Sequence, residues 1–240
     1  MQVAPGSPAV YKVPAVLEPA SAITGSDSGQ VRVFDDDEDA ARARPLARVS
    51  CDVCERQGRR PYMEDTFFIL PDYISAGSHL FGVFDGHGGS RASVYSRDEL
   101  PGVLRRHLAL QGIDRDFSDD ERDAPPGAAS AATRDAVSTA FAAAFLEIDR
   151  LFLDVARSEG LRDGTTALVA LLRANRLHVG WVGDSRGVLC RQGRFVRVSE
   201  DHKPDRPEER RAVEARGGTV IFRSVRPACA AVARGALRRL

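Results

Sequence analysis

The sequence predicts an α+β fold, in which antiparallel strands and separate helices form layers. Two observations support this class. Four short strand patterns between residues 165 and 199 are joined by two-residue connections, and a helical pattern covers residues 133–158. Connections that short join only antiparallel neighbours. Helices grouped between antiparallel strands are typical of an α+β domain and not of a doubly wound one.

The composition is that of one folded domain. The 240 residues are 43% hydrophobic, and 34 Lys and Arg balance 34 Asp and Glu, which argues against nucleic acid as a partner. No apolar run approaches the roughly 20 residues that span a bilayer. Four scattered cysteines without a secretory signal favour a reducing compartment. We expect a monomer in the cytoplasm, the nucleus or both, with no membrane contact.

Residues 1–46 are predicted to form a disordered N-terminal tail. They mix Pro, Ala, Gly and Ser without a sustained period and end in an acidic run over 35–39. Such a segment buries too little apolar surface to offset its ordering entropy. Order is therefore expected to begin near Val49, and the folded domain is assigned to residues 47–221.

The elements of that domain follow from hydrophobic periodicity. Residues 79–85 are nearly all apolar and end at Gly86, which indicates a strand buried on both faces. Residues 111–130 are acidic and contain prolines, as in a solvated insertion. Apolar residues at helical spacing then predict a long amphipathic helix over 133–158, stopped by Gly160. The four predicted strands cover 165–173, 176–184, 187–191 and 194–199. Pro207 begins a short surface helix that Gly217 and Gly218 stop.

The segment Phe81–Gly89, F-G-V-F-D-G-H-G-G, carries groups suited to metal chemistry. Asp85 offers a carboxylate to a hard divalent cation, and Gly86 allows a turn that exposes its carbonyl oxygen. His87 stands one residue further as a proton donor. A glycine-rich turn capped by an aspartate is the structural alternative.

The segment Gly58–Asp65, G-R-R-P-Y-M-E-D, places a cation near two carboxylates. On a strand, Arg60 and Glu64 share one face and converge on a common site, while Asp65 points elsewhere or reaches that site through water. An ordinary surface salt bridge uses the same residue types, so this alternative stays open for the segment alone.

Other candidates for metal binding carry less weight. Cys51 and Cys54 have no second Cys or His pair to complete a zinc site, and on a strand they would face opposite sides. His178 and Trp181 lie in an apolar strand pattern, which favours core positions. His202 belongs to an E-D-H-K-P turn.

Five motifs occur in a fixed order between about Val49 and Ile221: R-P-Y-M-E-D, F-G-V-F-D-G-H-G-G, D-G-T-T-A, V-G-D-S-R and E-D-H-K-P. Together they resemble the metal-dependent protein phosphatases of type 2C, most similarly the plant members. The resemblance implies a sandwich of two antiparallel β-sheets flanked by helices. It also implies hydrolysis of phosphoserine and phosphothreonine in phosphoprotein substrates with two Mn²⁺ or Mg²⁺ ions.

The resemblance assigns metal ligands to this sequence. It implies that Asp85 bridges the two ions and that Glu64 and the Gly86 carbonyl bind one of them, while Asp65 holds a metal-bound water. Six further motif positions are interpreted as structural, shaping strands and turns below the site: Asp163, Thr165, Thr166, Asp184, Ser185 and Arg186.

The resemblance also assigns catalytic roles. It implies that Arg60 binds the substrate phosphate, since a guanidinium forms bidentate hydrogen bonds with phosphate oxygens. His87 would protonate the leaving serine or threonine oxygen. The catalytic set is thus Arg60, Asp85 and His87.

The chain departs from this family's pattern at its C-terminal end. Residues 222–240 contain five arginines and no acid, and they match neither of the later motifs that supply two metal-binding aspartates. We interpret them as a divergent basic tail of a truncated chain, which makes the second metal site doubtful. The alternative function is therefore a catalytically impaired isoform that acts as a binding or regulatory fragment.

Overall fold

The computed structural model describes residues 17–19, 30–36, 49–114, 131–173 and 176–221. The strands are β1 Leu17–Pro19, β2 Gln30–Asp36, β3 Thr66–Leu70, β4 His79–Phe84, β5 Gly86–His87, β6 Gly164–Thr165, β7 Ala167–Arg173, β8 Arg176–Val182, β9 Val188–Arg191 and β10 Arg194–Arg197. The helices are α1 Arg91–Leu110, α2 Ala131–Glu159 and α3 Pro207–Ala215. Antiparallel strands with separate helices confirm the predicted α+β class.

The centre of the fold is a six-stranded sheet with the order β1-β2-β8-β7-β4-β3, in which every pair is antiparallel. Alternate residues of β7 are buried on its helix side, among them Val169 and Leu171. Helices α1 and α2 pack against each other and cover this face. The large core between helices and sheet includes Phe84 and Phe141, both fully buried.

The opposite face of the sheet carries a smaller core. The β9–β10 hairpin brings Leu189 and Val196 against Val179 and Trp181 of β8. The indole N–H of Trp181 donates to the carbonyl of Glu200 at 2.8 Å. The sheet therefore lies between a helical layer and a hairpin layer, and the prediction of Trp181 as a core residue is confirmed.

Most predicted elements occur with small shifts of their ends. β4, α2, β7 to β10 and α3 lie where the periodicity placed them. One predicted strand is divided at Thr166 into β6, which pairs with β5, and β7, which pairs with β4 and β8. Helix α1 was not predicted, since Ser93 and Ser96 occupy its buried face and Pro101 lies within it. Those residues obscure the apolar spacing by which a helix is recognised.

The structure differs from the predicted N-terminal tail at ten residues. It describes β1 and β2 inside that segment, and β2 pairs with β8 in a register that joins Val31 to Gly180 and Val33 to His178. The alternation of Gln30 to Val33 is a short strand pattern. An unpaired edge of β8 would expose backbone donors and acceptors, so pairing there is favourable. The predicted tail must be corrected for these strands.

Two other predictions fall outside the described residues. Most of the acidic insertion, 115–130, and the whole basic segment 222–240 belong to these parts of the chain. Across the ranges that are described, no helix has the length and apolar character needed to cross a bilayer.

His178 predicts a specific pH dependence of stability. It lies on β8 and is 3% exposed, which confirms it as a core residue. Burial, together with the nearby charges of Arg176 and Arg173, lowers the pKa of His178 to about 3. The unfolded chain titrates near pH 6.5, so between these values it binds one more proton than the folded chain. Stability should fall by about 1.4 kcal/mol per pH unit below 6.5.

Urea unfolding of the wild type and His178→Leu at pH 7.5 and pH 5 tests this expectation. Leucine is apolar and of similar size, so the substitution fills the same space and removes the titration. We expect the wild type to lose about 2 kcal/mol more than the variant on acidification. Parallel losses in the two proteins would show that His178 is not responsible.

Candidate active site

Asp85 lies immediately after β4, where that strand leaves the central sheet. Its backbone N–H donates to Oγ1 of Thr166 at 3.1 Å, and the N–H of Thr166 donates to the Asp85 carbonyl at 2.9 Å. These two hydrogen bonds attach the main chain of Asp85 to Thr166, which lies between β6 and β7. The carboxylate therefore leaves the sheet at a defined point.

Four charged or ionisable groups act on Asp85. Partial desolvation raises the pKa of Asp85, and the carboxylates of Asp65 and Asp184 raise it further. His87 and Arg60 lower the pKa of Asp85. The structure thus brings together the three residues of the predicted catalytic set, although they come from two separate segments. Mutual repulsion among the three carboxylates leaves the site prepared for a cation.

Glu64 and Gly86 meet through their main chains. The carbonyl of Glu64 accepts a 2.5 Å hydrogen bond from Oγ of Ser93 on α1. A Cβ atom at position 86 would overlap that same carbonyl and lie 2.8 Å from Ser93 Oγ. Only glycine fits there. Helix α1, which was not predicted, therefore holds the segment of Glu64 against the turn after β4.

The turn that carries His87 is held by the loop before β6. A Cβ atom at Gly164 would overlap the His87 ring, and one at Gly89 would overlap the carboxylate of Asp163. Oδ2 of Asp163 also accepts the backbone N–H of Arg91 at 2.9 Å, in the first turn of α1. The structural role predicted for Asp163 thus has a physical basis: it joins the glycine turn to the helix.

Arg60 and Glu64 do not lie on a strand. Residues 60–65 precede β3 without regular structure, so strand alternation does not explain how Arg60 faces the site. Its main chain instead exchanges hydrogen bonds with Gln57, whose Nε2 donates to the Arg60 carbonyl at 2.8 Å. A cavity of about 430 Å³ lies beside this segment, lined in part by Tyr62 and Glu64.

Sequence reasoning placed Asp184 below the site, but the structure places it close enough to act on Asp85. Its Oδ2 lies 3.4 Å from Nζ of Lys203. The next residue but one, Arg186, donates two hydrogen bonds to Asp201 at 3.1 and 2.7 Å. That guanidinium, more than other nearby cations, lowers the pKa of Asp201. The D-S-R turn therefore carries Asp184, whose charge acts on Asp85, and Arg186, whose hydrogen bonds to Asp201 anchor the turn.

The predicted metal ligands suit a hard divalent cation in their chemistry. Glu64 and Asp85 supply carboxylates and Gly86 a carbonyl, all of them oxygen donors. The raised pKa of Asp85 fits this use, because a cation would relieve repulsion from Asp65 and Asp184. Within the described ranges, however, no three His, Cys, Asp or Glu side chains form a preassembled metal-binding group. The donor set suits a hard cation by its chemistry, and the described contacts join Glu64 to Gly86 through the main chain.

The remaining candidates have ordinary surroundings. Cys51 and Cys54 are free thiols in a segment without strand structure, so the argument from opposite strand faces does not apply to them. The N–H of Gly183 donates to Nδ1 of His202 at 3.3 Å, and the N–H of His202 donates to the Gly183 carbonyl at 2.9 Å. His202 therefore fastens its turn to the end of β8.

Comparison with known sequences points to one family. The family model described as "Protein phosphatase 2C" matches residues 49–234, which extends past Ile221 into the segment interpreted as a divergent tail. "Probable protein phosphatase 2C 56" of Oryza sativa subsp. japonica is 41% identical over 177 residues, covering 73% of this chain and 44% of that protein. "Protein phosphatase 1L" of Bos taurus is 38% identical over 169 residues, covering 69% and 42%. The chain thus spans less than half the length of these relatives.

A solved structure supports the same fold. The serine-threonine phosphatase 2C from Toxoplasma gondii aligns with a TM-score of 0.55 at 24% identity, covering 86% of this chain and 60% of that one. At this identity the likeness concerns the fold alone. The family model, in contrast, matches well over half of the sequence. The chain therefore belongs to the protein phosphatase 2C family.

Proposed function

We propose that this chain hydrolyses phosphoserine and phosphothreonine in proteins with a divalent metal centre at Asp85. The observation that carries the proposal is the meeting of Arg60, Asp65 and His87 around Asp85, at the end of a buried strand. A cation for phosphate, carboxylates for metal and an imidazole for proton transfer are what phosphate ester hydrolysis requires.

The metal ligands proposed are Glu64, Asp85 and the carbonyl of Gly86, for Mn²⁺ or Mg²⁺. A bound divalent ion would supply a water nucleophile at neutral pH and offset charge on the phosphate. The protein's own part is to hold these oxygens in place. It does so through the main chain: Ser93 donates to the backbone carbonyl of Glu64, and Thr166 accepts the backbone N–H of Asp85.

The remaining residues act on the substrate. Arg60 would hold two phosphate oxygens by a bidentate contact and orient the ester for attack. His87, exposed in the glycine turn, would donate a proton to the serine or threonine oxygen as it leaves. Asp65 would accept a hydrogen bond from the attacking water. We also propose phosphoprotein substrates, a monomeric state, and a cytoplasmic or nuclear location.

An assay of the purified chain tests this function. With Mn²⁺ and a phosphothreonine peptide, we expect phosphate release that EDTA stops and that Asp85→Ala lacks. Phe195→Ala serves as a control, because this residue is 78% exposed on the β9–β10 hairpin. Turnover no higher than in Asp85→Ala would exclude catalysis by this chain.

A second candidate function is a fragment that binds phosphoprotein without hydrolysing it. It is favoured by the lack of a preassembled three-carboxylate or histidine group in the described ranges. Arg60 would still provide phosphate affinity. Fluorescence anisotropy with a labelled phosphopeptide separates the two functions: binding that depends on Arg60 but shows no turnover supports the fragment.

A further inference from the structure

Thr166, which lies between β6 and β7, contacts the main chain of the site residue Asp85. It is 8% exposed, and its hydroxyl accepts the backbone N–H of Asp85. The same oxygen lies 2.5 Å from Oγ of Ser185. One hydroxyl therefore links the residue after β4 to the turn after β8.

The methyl group of Thr166 completes this link by packing. A Cβ atom at Gly183, where φ is +94°, would lie 2.7 Å from Cγ2 of Thr166. The turn is held from its other side as well, because Oγ of Ser199 donates to the carbonyl of Ser185 at 3.3 Å. Thr166 thus occupies a fixed space between the turn and Asp85.

These contacts join the two main-chain segments that carry Asp85 and Asp184. The turn that Thr166 contacts carries Asp184, and Asp184 acts on Asp85. A shift of Thr166 would change both the direction of Asp85 and its separation from Asp184. Metal affinity depends on such supporting contacts nearly as much as on the ligands themselves.

We infer that Thr166, through its hydroxyl bonds to Asp85 and Ser185, is a positioning residue that sets the divalent-metal affinity of the site. This inference rests on the proposed metal centre. It assigns a functional role to a residue that the sequence placed among purely structural positions.

The test measures Mn²⁺ binding by titration calorimetry, alongside thermal melts of the metal-free proteins. Thr166→Val keeps the shape and loses the hydroxyl, and we expect its Mn²⁺ dissociation constant to rise about 10- to 100-fold. Thr166→Ser retains the oxygen and is expected to restore most of the affinity. Ser185→Ala removes only the hydroxyl that bonds Thr166 and should weaken Mn²⁺ binding by a smaller factor. This variant tests the inference if Thr166→Val does not fold.

Ser78→Ala is the matched control. The Ser78 hydroxyl is buried and accepts the backbone N–H groups of Ile74 and Ser75, at the opposite end of β4 from Asp85. It should lower the melting temperature without changing Mn²⁺ affinity. Wild-type affinity in a folded Thr166→Val, or in Ser185→Ala if that alone folds, would overturn the inference. A wild-type chain that binds Mn²⁺ no better than Asp85→Ala would overturn the metal centre itself.

Discussion

Asp85→Asn is expected to abolish the Mn²⁺-induced rise in melting temperature without lowering the stability of the metal-free chain. The metal-free stability and the Mn²⁺ response depend on different physical causes. Desolvation and the nearby carboxylates of Asp65 and Asp184 oppose the charged form of Asp85, so a neutral amide relieves repulsion. A bound ion stabilises only the folded chain, and loss of the central carboxylate removes that linkage. Phosphopeptide turnover should fall more than about 100-fold, beyond the effect of supporting residues at metal sites.

Differential scanning fluorimetry with and without Mn²⁺ checks both effects in one experiment. Asp98→Asn is the control for charge removal, since Asp98 is an exposed aspartate of α1 that pairs with its neighbour Arg97. It should retain the full Mn²⁺ response. A Mn²⁺ response that persists in Asp85→Asn would contradict the assignment of Asp85 as a ligand, and a large drop in metal-free stability would contradict the electrostatic argument.

The sequence was sufficient for the elements that depend on local patterns. A continuous apolar run placed β4 and hence Asp85 at the edge of the core, because such a run leaves few other arrangements. Two-residue connections likewise required the antiparallel order of β7 and β8 and of β9 and β10. The same expectation was wrong for β8 and β9, because the connection is five residues long and the two strands lie in different sheets. The resemblance carried by the ordered motifs then assigned Arg60, Glu64 and Asp85 to one site before any geometry was known.

The sequence was not sufficient where tertiary contacts decide. Nothing local shows that α1 holds the main chain of Glu64 through Ser93, because a serine on a buried helix face weakens the helical pattern. The position of Asp184 beside Asp85 depends on the pairing of β7 with β8, whose residues are distant from β4 in sequence. For the same reason Thr166 was recognised as structural but its contact with Asp85 was not foreseen.

The last prediction concerns Gly86, where the fold leaves no room for a side chain. A Cβ atom there would overlap the Glu64 carbonyl and crowd Ser93 Oγ, and a backbone atom cannot swing aside as a flexible side chain does. Gly86→Ala should therefore separate the segment of Glu64 from the turn, with a loss of about 1 to 3 kcal/mol in stability and loss of Mn²⁺ binding.

Gly102→Ala gives this substitution its matched control, because Gly102 is exposed within α1 and a Cβ atom there meets nothing within 4 Å. Alanine in a helix interior is favoured over glycine by roughly 0.5 to 1 kcal/mol, so Gly102→Ala should raise the free energy of unfolding by about that amount. Urea titration and Mn²⁺ calorimetry of both variants decide the matter. The free energy of unfolding is expected to fall in Gly86→Ala, where space is lacking, and to rise in Gly102→Ala, where only helix propensity changes. Equal tolerance at both would mean that the turn after β4 is free to move away from Glu64, and the close contact of their main chains would then have no part in forming the site.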